Sequence, residues 1–135
     1  MTVLATQPVL TALAARLTAL PDLAGFKLTD RAPKRGQLPS LRFGPVRQEP
    51  WDTGSSLGTR LDITVTLPSR TGSLNQILVA AEAMATDIAG APLGLTEGTV
   101  VDQALNSIRV EHRASDDLET ASMTVTLYVD LGDRA

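Results

Sequence analysis

The chain has 135 residues, of which 43% are hydrophobic and 20% charged, with a net charge of −3 and no cysteine. That length suits one domain with a single core, and the missing thiols exclude disulfide scaffolds, thiol catalysis and cysteine-based metal sites. The acidic sum gives no reason to expect nucleic-acid binding, and no apolar run approaches the roughly 18 residues that cross a membrane.

The opening stretch MTVLATQPVLTALAARL lacks a basic leader and spaces its apolar residues helically, so it predicts a helix and not a signal peptide. Leu10, Leu13, Ala14, Leu17 and Leu20 form its apolar face. Thr6 or Gln7 caps it ahead of Pro8, and Pro21 ends it. Residues 21–39 hold three prolines and two glycines among basic residues, which predicts an irregular, mostly exposed connection. SLRFGPV at 40–46 then reads as a short strand with Leu41 and Phe43 on one face. Pro45 places that strand at an edge or ends it early.

RQEPWDTGSSLGTR, residues 47–60, carries the only tryptophan among residues that break regular structure, and it reads as a flexible loop. TRLDITVTL at 59–67 alternates, with Leu61, Ile63, Val65 and Leu67 on one face and Arg60, Asp62, Thr64 and Thr66 on the other. Such alternation predicts a strand buried on one side only.

A second helix is expected at about 73–89, with Ser73 and Gln76 at capping-box spacing. Its apolar stripe is Leu74, Ile77, Leu78, Ala81, Ala85 and Ile88, and Gly90 followed by Pro92 stops it. Along 99–113 the apolar register is odd at Val101 and Leu105, then even at Ile108 and Val110, so a β-bulge is predicted near Asn106–Ser107. ASDD at 114–117 supplies a turn. The last strand points Met123, Val125, Leu127, Val129 and Leu131 inward, and Thr124, Thr126, Tyr128 and Asp130 outward.

The order helix, two strands, helix, two strands predicts a single α+β domain over 1–135. It is two-layered, a four-stranded, mainly antiparallel sheet with both helices packed on one face.

The residues offer little chemistry. His112, the only histidine, lies in a strand between Glu111 and Arg113, without a thiol or an evident orienting acid. Asp116, Asp117 and Glu119 form the densest acid cluster but lack the glycine and spacing of a calcium loop, so they read as turn residues. The glycines make no phosphate-binding fingerprint, Ser55 and Ser56 form no nucleophile elbow, and four aromatics make no base-stacking platform. No catalytic residue, cofactor-binding residue, metal ligand or cofactor is expected.

Charge is unevenly spread. Residues 27–47 carry Lys27, Arg31, Lys34, Arg35, Arg42 and Arg47 against Asp30 alone, a balance of +5, whereas 48–135 carry five arginines against thirteen acids, a balance of −8. This reads either as a basic loop on an acidic domain or as a dipolar subunit that meets a copy of itself. Trp51 likewise either folds back over the rim of the core or anchors a partner.

DRAP at 30–33, LPSLRFG at 38–44, EPWDTGSSLG at 49–58 and LPSRTGSLNQILVAAEAMATDIAGAPL at 67–93, with the N-terminal helix and two closing strands, cover nearly the whole chain. Together they resemble the tail-completion or tail-terminator proteins of long-tailed bacteriophages and of gene transfer agents. Trp51 to Gly54 is the most specific part. Pro68, before Ser69 and Arg70, stands where relatives often have an aromatic.

The resemblance implies a non-enzymatic structural protein that forms a ring of itself, commonly of six subunits. Such a ring caps the head-proximal end of the tail tube, stops its polymerisation and meets the head connector, inside a virion or phage-like particle. Its partners would be the major tail tube protein and the head–tail connector or stopper protein, with DNA passing through the lumen unbound and no membrane contact. The expected interface residues are Lys34, Arg35 and Arg47 of the basic segment, Trp51, Asp52, Thr53 and Gly54 of the loop, and Asp116 and Asp117. The alternatives are a head–tail stopper or connector component, or a small α+β ligand-binding domain.

Overall fold

The computed structural model describes residues 6–29, 38–52, 56–70, 74–95, 98–113 and 118–133. Two helices and five strands are arranged as α1 (Thr6–Thr18), β1 (Lys27–Thr29), β2 (Ser40–Pro50), β3 (Ser56–Arg70), α2 (Leu74–Gly90), β4 (Thr99–Arg113) and β5 (Leu118–Asp133). A 3-10 turn at Pro21–Leu23 follows α1. The strands form one sheet in the order β1-β2-β3-β5-β4, antiparallel throughout except for β1, which lies parallel to β2.

The α+β class and the single helical layer agree with the sequence pattern, but the sheet has a fifth strand. Within the stretch 21–39, expected to be irregular, residues 27–29 are strand; residues 30–37 lie outside the described residues. β1 is too short to show alternation; it is held by the Lys27 N–H donating to Pro39 O at 3.0 Å and by a Thr29–Ser40 hydroxyl contact of 3.0 Å. Ser40 is fully buried there.

β3 and β5 run side by side through the middle of the sheet, with Leu61 opposite Leu127, Ile63 opposite Val125 and Val65 opposite Met123. These side chains meet Val9, Leu13 and Leu17 of α1 and Ile77, Ala81, Met84 and Ile88 of α2 in one buried cluster. Burial of large aliphatic side chains at about 1.5–3 kcal/mol each is the main driving force for such a layer. Arg16 of α1 ties the helices together, its Nε donating to Asp87 Oδ2 at 2.7 Å and a terminal nitrogen to the Asp87 carbonyl at 2.6 Å.

In both helices the buried face is rotated from the expected one. In α1, Val9 is buried while Leu10 and Ala14 are only partly covered. In α2, Ala80 and Met84 are buried, but Leu74 and Leu78 are exposed. The Ser73 cap and the 114–117 turn fall outside the described residues.

β2 continues past its expected end at residue 46. The register shifts between Phe43 and Val46, so Pro45 sits at a bulge, beyond the last residue of β2 that pairs with β1. A proline is tolerated there because no ladder hydrogen bond is demanded of its nitrogen. In β4 the predicted bulge occurs between Leu105 and Ser107, and a second lies between Val100 and Asp102. The second bulge turns Val100, not Val101, into the core.

Gln103 of β4 terminates α2. Its Nε2 donates to Ile88 O at 2.8 Å and to Ala91 O at 2.6 Å, while its Oε1 accepts from the Leu93 N–H at 2.9 Å. The last helical turn has no basic residue to satisfy its carbonyls, so this one amide substitutes for a local cap. Gln103→Ala is expected to lower unfolding free energy by about 2 kcal/mol, measured by urea denaturation with far-UV circular dichroism.

Candidate functional site

The face of the sheet turned away from the helices is polar. Alternation along β3 sends Arg60, Asp62, Thr64 and Thr66 to it, and pairing brings Tyr128, Thr126, Thr124 and Ser122 of β5 alongside. The β4 bulge at Asn106 aims an amide at the same row. Its Nδ2 donates to the Thr126 hydroxyl, which in turn donates to Asp62 Oδ1 at 2.7 Å. Arg60 reaches the same Asp62 oxygen at 3.4 Å. Four side chains on three strands thus form one hydrogen-bonded line, with Thr126 buried in its middle.

Trp51 closes one end of this face. The residues read as a flexible loop are largely strand, because β2 runs to Pro50 and β3 starts at Ser56. The Trp51 N–H donates to Gly58 O at 2.9 Å, and the Gly58 N–H donates to Asp52 Oδ1 at 3.1 Å. The indole packs edge-on against Tyr128, with ring centroids 5.0 Å apart, and the Arg60 guanidinium lies 5.7 Å from the same Tyr128 ring. Such an aromatic pair is worth about 0.5–1.5 kcal/mol beyond area burial. Trp51 is half-buried, so it rests on its own sheet and still presents surface.

Gly58 makes this arrangement possible. A Cβ there would collide with the Trp51 carbonyl oxygen and stand 3.0 Å from the indole Cε3 and 3.1 Å from Val129 O. The register of β3 against β5 also shifts at Leu57–Gly58, leaving Leu131 of β5 as the extra residue.

Of the residues expected at the interface, Arg47, Trp51 and Asp52 are described, Arg47 on β2 and the other two just past its end. Arg47 is exposed and ion-paired with Glu49 on its own strand. Lys34, Arg35, Thr53, Gly54, Asp116 and Asp117 lie outside the described residues. Sequence reasoning placed Tyr128, Thr126, Arg60 and Asp62 on this face without recognising the line they form. The bulge at Asn106 was its one available signal. His112 Nδ1 lies 4.0 Å from Glu119 Oε1. Among the described residues no group of three His, Asp or Glu is placed to hold a metal ion. No described helix is long and apolar enough to cross a membrane.

Gly58→Ala is expected to cost about 2–3 kcal/mol. Because Trp51 is the only indole, its emission should shift to the red in that variant as the ring is pushed off Tyr128.

The family model described as tail completion protein gp17 matches residues 4–130. No curated protein matches the sequence. Among solved structures, a chain from the virion of a native gene transfer agent particle superposes with a TM-score of 0.80 at 17% identity, covering 96% of this chain and 99% of that one. At that identity the likeness shows a shared fold.

Proposed function

Because this chain belongs to the tail completion protein gp17 family, we propose that it is a structural component of a phage-type tail, acting without catalysis at the head–tail junction of a virion or phage-like particle. The observation that carries the reading is the family match over 4–130, and the fold shared with a gene transfer agent virion chain is consistent with it.

In this reading, copies of the chain form a closed ring, hexameric as the family resemblance implies. The ring seats on the head-proximal end of the tail tube, stops further addition of the major tail tube protein and presents a surface to the head–tail connector or stopper protein. A net charge of −3 suits a conduit that lets DNA pass without gripping it, since backbone phosphates are held by clustered cations. Of the expected interface, Arg47 lies on β2, and Trp51 and Asp52 just past it are held to Gly58 of β3, which gives a contact a fixed mount. Trp51 is the anchor in this reading, its ring set edge-on against Tyr128 while part of its surface stays open to a partner.

The experiment is to mix the purified protein with its tail-tube subunit and score tube lengths by negative-stain microscopy. Capped, shortened tubes with a ring at one end are expected. Tubes of unchanged length with no protein attached would favour a connector role or a ligand-binding domain. Trp51→Ala should lower capping at least about tenfold while costing the monomer about 2–3 kcal/mol; a capping loss no larger than that stability loss accounts for would return Trp51 to a purely internal role.

A further inference from the structure

We propose that successive copies join edge to edge, β2 of one copy pairing antiparallel with β4 of the next, so that Arg47 faces Glu111 and Glu49 faces Arg109. The inference rests on the ring reading above and names its contact.

Both edges of the sheet are incomplete among the described residues. β4 pairs only with β5, and β2 pairs with β1 only as far as Arg42. β4 is 15 residues long, and long unpaired edges are templates for another chain. It also leaves apolar surface in place. Ile108 and Val110 stand opposite Met123 and Ala121, hence on the helix side, yet are 44% and 39% exposed.

On α2, Asp87 marks the flank held by α1 through Arg16, and Leu74 and Leu78, 44% and 42% exposed, occupy the opposite flank, toward β4. At the other end of the sheet, Leu10, Leu28 and Phe43 line an open groove between α1 and the β1–β2 edge. Each edge therefore carries an apolar strip on its helix side.

The polar side sets the register. Arg47 and Glu49 lie opposite Asp62 and Arg60, and Arg109 and Glu111 lie opposite Ser122 and Thr120, so all four project from the face away from the helices. Within each strand the arginine and glutamate already pair with each other. Both edges thus show Arg-x-Glu in the same chain direction on the same face. A parallel contact would set Arg47 against Arg109; an antiparallel one sets each charge against its opposite.

Strand direction requires the second arrangement. β2 runs with β5, and β4 runs against both. A neighbour generated by rotation about an axis that runs along the strands keeps their direction, so its β2 meets β4 antiparallel. In the same register Gln48 falls opposite Val110 and Pro50 opposite Ile108, joining helix-side residues to helix-side residues. The two surfaces are different and lie at opposite ends of one sheet, which is the heterologous geometry that closes into rings or grows into filaments.

The absence of cysteine allows a direct test on the full chain. Gln48→Cys and Val110→Cys in one chain should, on oxidation, give a ladder of covalent multimers, while either substitution alone gives none beyond a dimer. A ladder that stops at a fixed size supports the contact and the ring together. A ladder without limit supports the contact and overturns the closed ring. Rings in native mass spectra without a ladder overturn the contact and leave the ring standing, and neither species at high concentration overturns the contact.

A second variant set guards against misfolding and keeps the pairs within each strand intact. Arg47→Glu with Glu49→Arg should weaken association about tenfold. Adding Arg109→Glu with Glu111→Arg should restore it. Failure of the second swap to restore association would sink the proposed register.

Discussion

The register between β3 and β5 is the constraint on which both faces of the domain depend. Side chains alternate with a period of two, so one set of pairings sends Leu61, Ile63, Val65 and Leu67 with Met123, Val125 and Leu127 to the helices. The same pairings send Arg60, Asp62, Thr126 and Tyr128 to the other side. A slip of one residue would bury Asp62 and Arg60 under the helices and expose the aliphatic row. Burying such charges without partners is far costlier than the loss of a few contacts. The alternation therefore specifies the sheet twice, once by what it buries and once by what it keeps wet.

Around that rigid pair the departures from regular pairing are local and each has a purpose. The shift at Phe43–Val46 absorbs Pro45, the shift at Leu57–Gly58 passes over Leu131 of β5, and the shift at Leu105–Ser107 turns Asn106 toward Thr126. The shift at Val100–Asp102 keeps Val100 in the core while Gln103 reaches the end of α2. Bulges add a residue on one strand and re-aim the next side chain, so they couple the polar face to the helical layer without breaking the ladder.

What was legible in the sequence follows from the same physics. Long strands buried on one side announce themselves by alternation, and the odd-to-even change along β4 marks the bulge at Asn106–Ser107. β1 was illegible because three residues cannot show a period and their neighbours are prolines and glycines. The hairpin at Trp51 was read as a loop because Pro50, Gly54 and Gly58 carry breaker chemistry whatever their setting. There, Gly58 is required by the close approach of the Trp51 backbone and not by a need for flexibility. Of the expected interface, Arg47 lies on β2 and Trp51 and Asp52 follow its end, where Gly58 holds both of the latter.

The residues misplaced in the core reading are themselves informative. Leu74 and Leu78 match the helical period of α2 and would complete its stripe, yet Ala80 and Met84 fill the buried face instead. An apolar residue that obeys the period but stays exposed suits a surface partly covered in the working state, because evenly scattered exposed leucines would carry no such spacing. The same holds for Ile108 and Val110, which keep the inward parity of β4 and yet stay 44% and 39% exposed. Parity and periodicity thus extend beyond the monomer's own core, toward the edge of the sheet. The fold thus sets the orientation of this apolar strip independently of the core: Ile108 and Val110 share the helix side of β4 with Leu105, at the edge strand of the sheet.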